Sequence, residues 1–164
     1  MSSPVTNVVV AGLGGQGVLK GTDILAMTAL HAGYDIKKSE IKGMSQRGGS
    51  VTGDVRFGPQ VFSPMVSTGE ADYLLVLEPT QVTPNQHMLR PGGVLITPDA
   101  VNVDNLPNKK ALNVALLGVL SAHLPFPEKV WLRCLREGFA ESFFEGNRQA
   151  FLSGRQARQT STPA

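Results

Sequence analysis

The chain has 164 residues, of which 41% are hydrophobic and 17% are charged. This length and composition fit one globular domain with a single core. The formal net charge of +2 and the aromatic content of 6% argue against a dedicated nucleic-acid-binding protein, which would carry a basic surface or an array of stacking rings. The single cysteine, Cys134, excludes an intrachain disulfide and any four-cysteine iron–sulfur or zinc site within this chain.

The targeting signals that a sequence can carry are not found here. No apolar run reaches the roughly 18 residues of a membrane-spanning helix, and no basic, apolar and small-residue order of a signal peptide opens the chain. The sequence therefore predicts a cytoplasmic protein without a membrane span.

The chain begins with a predicted strand, glycine loop and helix. Residues 7–11 form a continuous apolar run that is typical of a strand buried on both faces. A G-x-G-x-x-G loop follows directly and opens an amphipathic helix that Gly33 closes. Such a loop presents backbone N–H groups and a positive helix end to a phosphate. The candidate ligand-binding residues of this loop are Gly12, Gly14, Gly15, Gln16 and Gly17.

The loop does not predict binding of a nicotinamide dinucleotide. No acidic residue ends the second strand about 20 residues beyond the loop, and the chain lacks a second nucleotide-binding half. Three interpretations stay open: another phosphate ligand, tight packing of the strand against the helix, or docking of another subunit.

A second loop carries one arginine and a glycine pair between two predicted strands. Arg47 supplies a planar cation with five donors, which suits a carboxylate, a phosphate or a group of carbonyls. The two glycines allow close approach of a partner or a positive φ. The simpler interpretation is a β-turn that enters the next strand. The candidate residues here are Ser45, Gln46, Arg47, Gly48 and Gly49.

Further strands are predicted at 34–38, 50–57, 71–77 and 94–96, with a short hairpin partner at 61–62. Helices are predicted at 80–89, at 111–122, and from Glu128 to a stop at Gly154, with one or two breaks at Gly138 and Gly146. Glu78 ends a strand, where it either binds a ligand or starts a helix. We predict one domain over 1–164, with a core at 7–154 and a flexible tail at 155–164. The fold class is α/β: three layers, a mostly parallel Rossmann-like sheet with helices on both faces, and a C-terminal helical segment.

No catalytic constellation is visible in the sequence. The three histidines lie far apart without metal-ligand spacing, and neither a nucleophile–base pair nor a carboxylate dyad occurs. We therefore predict no catalytic residue and no metal site in this chain.

Four segments carry a resemblance to a known family: residues 9–18 (VVAGLGGQGV), 39–51 (SEIKGMSQRGGSV), 69–72 (GEAD) and 147–154 (NRQAFLSG). They resemble the gamma domain of 2-oxoacid:ferredoxin oxidoreductases, and within that family the beta subunit of indolepyruvate ferredoxin oxidoreductase. The resemblance extends over residues 7–154. The pairing of Gly-Gly-Gln-Gly with Gln-Arg-Gly-Gly-Ser-Val is the most specific part of it.

The resemblance implies the small subunit of a complex that decarboxylates a 2-oxoacid and transfers the acyl group to coenzyme A, with electrons passing to ferredoxin or a related acceptor. Thiamine diphosphate, magnesium and iron–sulfur clusters are expected in one or more larger partner subunits, and the isolated chain is expected to be inactive. The two glycine loops are candidates for contact with coenzyme A or for docking of the partner.

The residues before Arg47 bear on the substrate. The pyruvate and 2-oxoglutarate branches usually carry a Tyr-Gly-Pro-like stretch there, whereas this chain carries Gly-Met-Ser-Gln at 43–46, as the indolepyruvate branch does. The resemblance thus favours an aryl or indole 2-oxoacid. The alternatives are a gamma subunit for pyruvate, 2-oxoglutarate or phenylglyoxylate and, in another class, a stand-alone phosphate- or nucleotide-binding module.

Overall fold

The structure, a computed structural model, describes residues 5–42 and 49–160. Its centre is a five-stranded sheet in the order β2-β3-β1-β4-β5. The strands are β1 (Thr6–Leu13), β2 (Asp35–Lys42), β3 (Ser50–Gly58), β4 (Ala71–Val76) and β5 (Leu89–Ile96). The pairs β1–β4 and β4–β5 are parallel, whereas β1–β3 and β2–β3 are antiparallel. The predicted α/β class is confirmed, but the sheet is mixed, so "mostly parallel" describes only one half of it.

Four helices cover one face of the sheet: α1 (Val18–His31), α3 (Leu112–Ser121), α4 (Glu128–Gly138) and α5 (Glu141–Thr160). Inward residues of the strands, such as Val8 and Val10, join the helices in the main core. The apolar α3 is buried along almost its whole length, because it packs on the sheet side and against α5 on the other. Trp131 and Phe151 fill the space between the outer helices. Both side chains are fully buried.

The opposite face carries a smaller core and only short helical turns. Alternate residues of the strands, including Val9 and Val76, form a second buried cluster. Its cover consists of the loop at 59–70 and of α2 (Val82–Asn85), which has a 3₁₀ turn on either side. The helix predicted at 80–89 is therefore present only as these turns. The prediction of helices on both faces is confirmed, although one face carries four helices and the other only short helical turns.

The hairpin partner predicted at 61–62 is wrong. Val61 lies in irregular backbone, and its N–H donates to Oδ2 of Asp35 at 2.8 Å. Five residues later, the Val66 N–H donates to the buried Asp54 carboxylate at 2.9 Å. Side-chain carboxylates thus satisfy the backbone of this loop where a strand partner was expected.

The helix end predicted at Gly154 is also wrong, because α5 continues to Thr160. Gly154 lies where α5 crosses α3: a Cβ on this glycine would lie 1.8 Å from the carbonyl oxygen of Ala115. On α3, a Cβ on Gly118 would lie 2.0 Å from the carbonyl oxygen of Phe151. The two glycines allow the helix backbones to touch. Residue 155 is part of this contact, since the Arg155 guanidinium donates to Oγ of Ser121 at 3.0 Å.

Within the described residues the structure has neither a membrane-spanning helix nor a cluster of metal ligands. None of the helices within 5–42 and 49–160 is both long and apolar enough to cross a bilayer. Over the same ranges, no three His, Cys, Asp or Glu side chains are grouped so that they could hold a metal ion.

Candidate functional site

The glycine loop connects β1 to α1 at the edge of the sheet where the parallel strands end. Gly15 and Gly17 have φ angles of 88° and 85°, which side-chain-bearing residues rarely adopt. Gln16 closes the loop with two hydrogen bonds to Leu13: its side-chain Oε1 accepts the Leu13 N–H at 2.7 Å, and its backbone N–H donates to the Leu13 carbonyl at 3.1 Å. The main function of Gln16 is thus to stabilise the conformation of the loop.

The glycines of this loop have different functions. A Cβ on Gly12 would lie 2.9 Å from Cγ2 of Val18 and 3.2 Å from Cβ of Leu77, so this position serves tight packing. A Cβ on Gly17 would lie 2.3 Å from Nδ2 of Asn113. Around Gly15, by contrast, the space is open for 4 Å. Tight packing explains Gly12 and Gly17, whereas Gly15 faces free volume.

The free volume is a cleft of about 420 Å³ between the glycine loop and the start of α3. Its size is within the range of pockets that bind small molecules and cofactors. Leu77, directly after β4, and Leu112 form apolar walls. The residues that line the cleft are Gly15, Gln16, Leu77, Lys109, Lys110, Leu112 and Asn113.

Two lysines give the cleft its charge. Lys109 and Lys110 lie in a 3₁₀ turn that leads into α3, and Oδ1 of Asn108 holds this turn by accepting the Lys110 N–H at 2.9 Å. Both side chains are exposed, and within 5–42 and 49–160 neither ammonium group lies within 4.0 Å of a carboxylate. Cations at the N-terminal end of a helix are unfavourable because the helix dipole is positive there. An anion in the cleft would relieve this repulsion.

Asn113 joins the two sides of the cleft. It is buried in the first turn of α3, and its Nδ2 donates to the carbonyl of Gly17 at 3.2 Å. On the loop side, the N–H groups of Gly15, Gly17 and Val18 have no hydrogen-bond acceptor among the described residues. Of these three residues, Gly15 lines the cleft together with the two lysines at the start of α3. The arrangement can bind an anion such as a phosphate.

The structure brings part of the predicted candidate set together. Gly12, Gly14, Gly15, Gln16 and Gly17 form the loop beside the cleft, and the Gly14 N–H donates to the carbonyl of Gly49 at 2.8 Å. Gly49 thus ties the start of β3 to the glycine loop. Ser45, Gln46, Arg47 and Gly48 lie outside the described residues.

Sequence reasoning missed Lys109, Lys110 and Asn113. The signal that could have found them is Asn108, a helix-capping residue, followed by two lysines where acidic residues are usual. That reversal of charge marks a helix start that can receive an anion.

The other candidates have structural functions. The Glu78 carboxylate accepts the Thr80 N–H at 3.2 Å and so caps a 3₁₀ turn, which confirms the helix-start interpretation. Cys134 is a free, buried thiol, and burial is the main cause that raises its pKa. It is therefore a packing residue and a poor nucleophile.

Comparison with known proteins agrees with this architecture. The family model for pyruvate ferredoxin/flavodoxin oxidoreductase matches residues 7–157. The indolepyruvate oxidoreductase subunit IorB of Thermococcus kodakarensis is 44% identical over 91 residues, which cover 56% of this chain and 45% of that protein. The chain thus spans about half the length of the curated relatives it matches.

Two solved structures share the fold. One is the 2-oxoglutarate:ferredoxin oxidoreductase of Magnetococcus marinus with 2-oxoglutarate, coenzyme A and succinyl-CoA bound, with a TM-score of 0.87, 18% identity, and coverage of 99% of this chain and 32% of that one. The other is the gamma subunit of a keto/oxoacid ferredoxin oxidoreductase of Geobacter sulfurreducens, with a TM-score of 0.81, 21% identity, and coverage of 98% and 100%. At these identities the likeness supports the fold alone. The family match covers most of the chain, and the chain belongs to the pyruvate ferredoxin/flavodoxin oxidoreductase family.

Proposed function

We propose that this chain is the small subunit of a 2-oxoacid:acceptor oxidoreductase and that its cleft receives coenzyme A. The observation that carries the proposal is the convergence of Gly15, Lys109 and Lys110 on one open cleft. Coenzyme A is an elongated anion whose phosphates match the two ammonium groups and the Gly15 N–H, which has no acceptor among the described residues. The family match and the bound coenzyme A in the Magnetococcus marinus enzyme support the same choice.

The contribution of this chain is binding and orientation. Thiamine diphosphate and iron–sulfur clusters would supply decarboxylation and electron transfer. The residues here do not fit those groups, because the only cysteine is buried between helices and no carboxylate cluster occurs among the described residues. We therefore place them, with magnesium, in larger partner subunits in the cytoplasm. The lysines would hold the phosphates so that the thiol end of coenzyme A reaches the acyl group on the partner.

The substrate that we propose is an aryl or indole 2-oxoacid, with ferredoxin or a related protein as electron acceptor. Support comes from the Gly-Met-Ser-Gln stretch at 43–46 and from the names of the relatives that are 41–45% identical over their aligned parts. The test is oxidation of indolepyruvate, phenylpyruvate and phenylglyoxylate by the complex that copurifies with this chain, against pyruvate and 2-oxoglutarate. Preference for either of the last two would overturn the substrate assignment.

The lysines can be tested directly in that complex. We expect the double substitution Lys109→Gln and Lys110→Gln to raise KM for coenzyme A about tenfold or more, since one charge-assisted hydrogen bond contributes about 1.5–3 kcal/mol. KM for the 2-oxoacid should stay unchanged. Lys129→Gln is the matched control, because Lys129 is an exposed lysine on α4 away from the cleft. An unchanged KM for coenzyme A in the double variant would refute the assignment.

Arg47 is proposed as a second contact to coenzyme A or to the partner. We expect Arg47→Ala to impair coenzyme-A-dependent turnover or assembly without loss of the fold, at a cost of about 1.5–3 kcal/mol. Size-exclusion chromatography separates the two effects, because only a docking defect changes the elution of the complex. Normal assembly together with normal kinetics would eliminate this role.

The glycine-loop cleft also fits a second candidate function, that of a stand-alone phosphate- or nucleotide-binding module. Calorimetry of the isolated chain decides between the two. Tight binding of ATP or NAD by a folded monomer, with no partner subunit in copurification, would favour the module over the oxidoreductase subunit.

A further inference from the structure

A second cavity of about 470 Å³ lies beside the cleft, between the turn that leads into α3 and the first half of α5. Its walls include two aromatic rings, Phe139 and Phe143. The Phe143 side chain is 62% exposed although it is large and apolar. An exposed aromatic ring at the wall of a cavity offers a flat apolar surface for a planar ligand.

Lys110 lines both cavities. The glycine-loop cleft and the aromatic cavity are therefore neighbours that share one cation at their junction. A ligand that extends across both would have a negative charge at the junction and a planar apolar group on the aromatic side.

Gly146 keeps the aromatic cavity open. It lies within α5, where glycine is less favourable than alanine by about 0.5–1 kcal/mol. No atom lies within 4 Å of a Cβ placed on Gly146, so packing does not require glycine there. Gly154 on the same helix differs, because backbone contact demands it. The absence of a side chain at residue 146 leaves room for a ligand.

The Asn147 side chain in this cavity can form a hydrogen bond with a heterocyclic ligand. Nδ2 of Asn147 donates to the carbonyl of Phe143 at 3.0 Å, and Oδ1 has no donor among the described residues. An amide oxygen beside an aromatic ring can accept the exocyclic amino group of a purine.

We infer that the aromatic cavity binds the adenine end of coenzyme A, with the phosphates at Lys109, Lys110 and the Gly15 backbone of the glycine-loop cleft and the pantetheine arm leading out of that cleft. This inference rests on the proposed function and adds a specific orientation to it. Phe143 provides the stacking surface, Asn147 the hydrogen-bond acceptor, and Gly146 the space.

The test uses calorimetric titration of the full chain, in the complex with which it copurifies, with three probes: coenzyme A, adenosine 3′,5′-bisphosphate and 4′-phosphopantetheine. We expect Gly146→Leu, which fills the cavity, to weaken coenzyme A and the bisphosphate about tenfold or more, as loss of one base–aromatic stack does. Affinity for 4′-phosphopantetheine should not change. Gly146→Ala is the graded control and should lose less affinity than Gly146→Leu.

A second variant keeps the inference testable if Gly146→Leu disturbs α5. Phe143→Ala should show the same selective loss, whereas Phe62→Ala, which removes an exposed ring outside both cavities, should bind all three probes normally. The adenine site would be overturned if Phe143→Ala and Gly146→Leu both bound the bisphosphate with wild-type affinity. The proposed function would still stand in that case, provided that the variants bind coenzyme A. If the wild-type complex does not bind coenzyme A at all, the proposed function fails.

Discussion

Substitution of Gly154 by alanine should strongly destabilise the protein. A Cβ at this position would lie 1.8 Å from the Ala115 carbonyl oxygen and 3.1 Å from the Val119 N atom. Since real Cβ atoms do not approach other heavy atoms within 3.0 Å, the two helices would have to separate by about 1 Å or more, and overpacking of this kind typically costs about 1–3 kcal/mol. Separation would also loosen the contact between α3 and the core around Trp131. We therefore place Gly154→Ala at the upper end of that range or beyond it.

Urea unfolding followed by circular dichroism measures the effect, and Gly146→Ala is the matched control on the same helix. The control adds the same methyl group where no neighbour lies within 4 Å, so higher helix propensity should raise the free energy of unfolding by about 0.5–1 kcal/mol. Opposite signs for the two variants would confirm the close helix crossing. Equal unfolding midpoints for Gly154→Ala and the wild type would refute it.

Three further outcomes follow from individual contacts. Gln16→Ala should lower the free energy of unfolding by about 1 kcal/mol, measured by urea titration, because the Leu13 N–H loses its acceptor; no loss would show that Gln16 does not brace the loop. Burial raises the pKa of Asp54, opposed by the Val66 N–H and by Arg56, so the ionised form costs stability above the folded-state pKa. Asp54→Asn should therefore gain stability relative to the wild type as pH rises from about 4 to 7, and a gain only at low pH would contradict this sign. Cys134 should resist alkylation by iodoacetamide at pH 7 until the chain unfolds, and rapid labelling of the native protein would contradict its burial.

The strands of the core could be predicted because burial on both faces leaves an unbroken apolar run. Residues 8–11 and 74–77 are such runs, and β1 and β4, to which they belong or lead, lie side by side at the centre of the sheet. Whether β2 and β3 run parallel or antiparallel to their neighbours could not be predicted from the hydrophobic pattern. An amphipathic strand alternates in the same manner whether its neighbour is parallel or antiparallel. The mixed character of the sheet therefore depends on pairing, which local sequence does not encode.

Glycines caused the main error in the helices. A glycine near the end of an apolar stripe is typical of a helix stop, yet Gly154 lies inside α5. The distinction depends on a residue of another helix, the Ala115 carbonyl, which is 39 positions away in the chain. Gly138, by comparison, does end α4 as expected, whereas the break suggested at Gly146 is wrong because α5 continues through it. Local pattern identified both glycines but could not separate a terminator from a contact point.

The candidate site was predictable on one side only. The glycine loop has a sequence fingerprint, whereas Lys109 and Lys110 come from a segment without hydrophobic period and reach the loop through the tertiary fold. Their proximity requires Asn113 to bond Gly17 across 96 residues. A fingerprint for the loop therefore gave no information about the cations opposite it.

In this structure the fingerprint G-x-G-x-x-G indicates tight packing at two of its three glycines. In a dinucleotide-binding protein the glycines admit a pyrophosphate to the helix end. Here Gly12 makes room for Val18 and Leu77, and Gly17 makes room for Asn113, so two of the three fingerprint glycines serve protein packing. The open position is Gly15, which the fingerprint does not specify. The ligand of this loop is accordingly determined by what lies opposite Gly15, and those groups are the lysines of the α3 start. Substitution of the lysines should therefore affect ligand binding more selectively than substitution of Gly12 or Gly17, which would first disturb the fold.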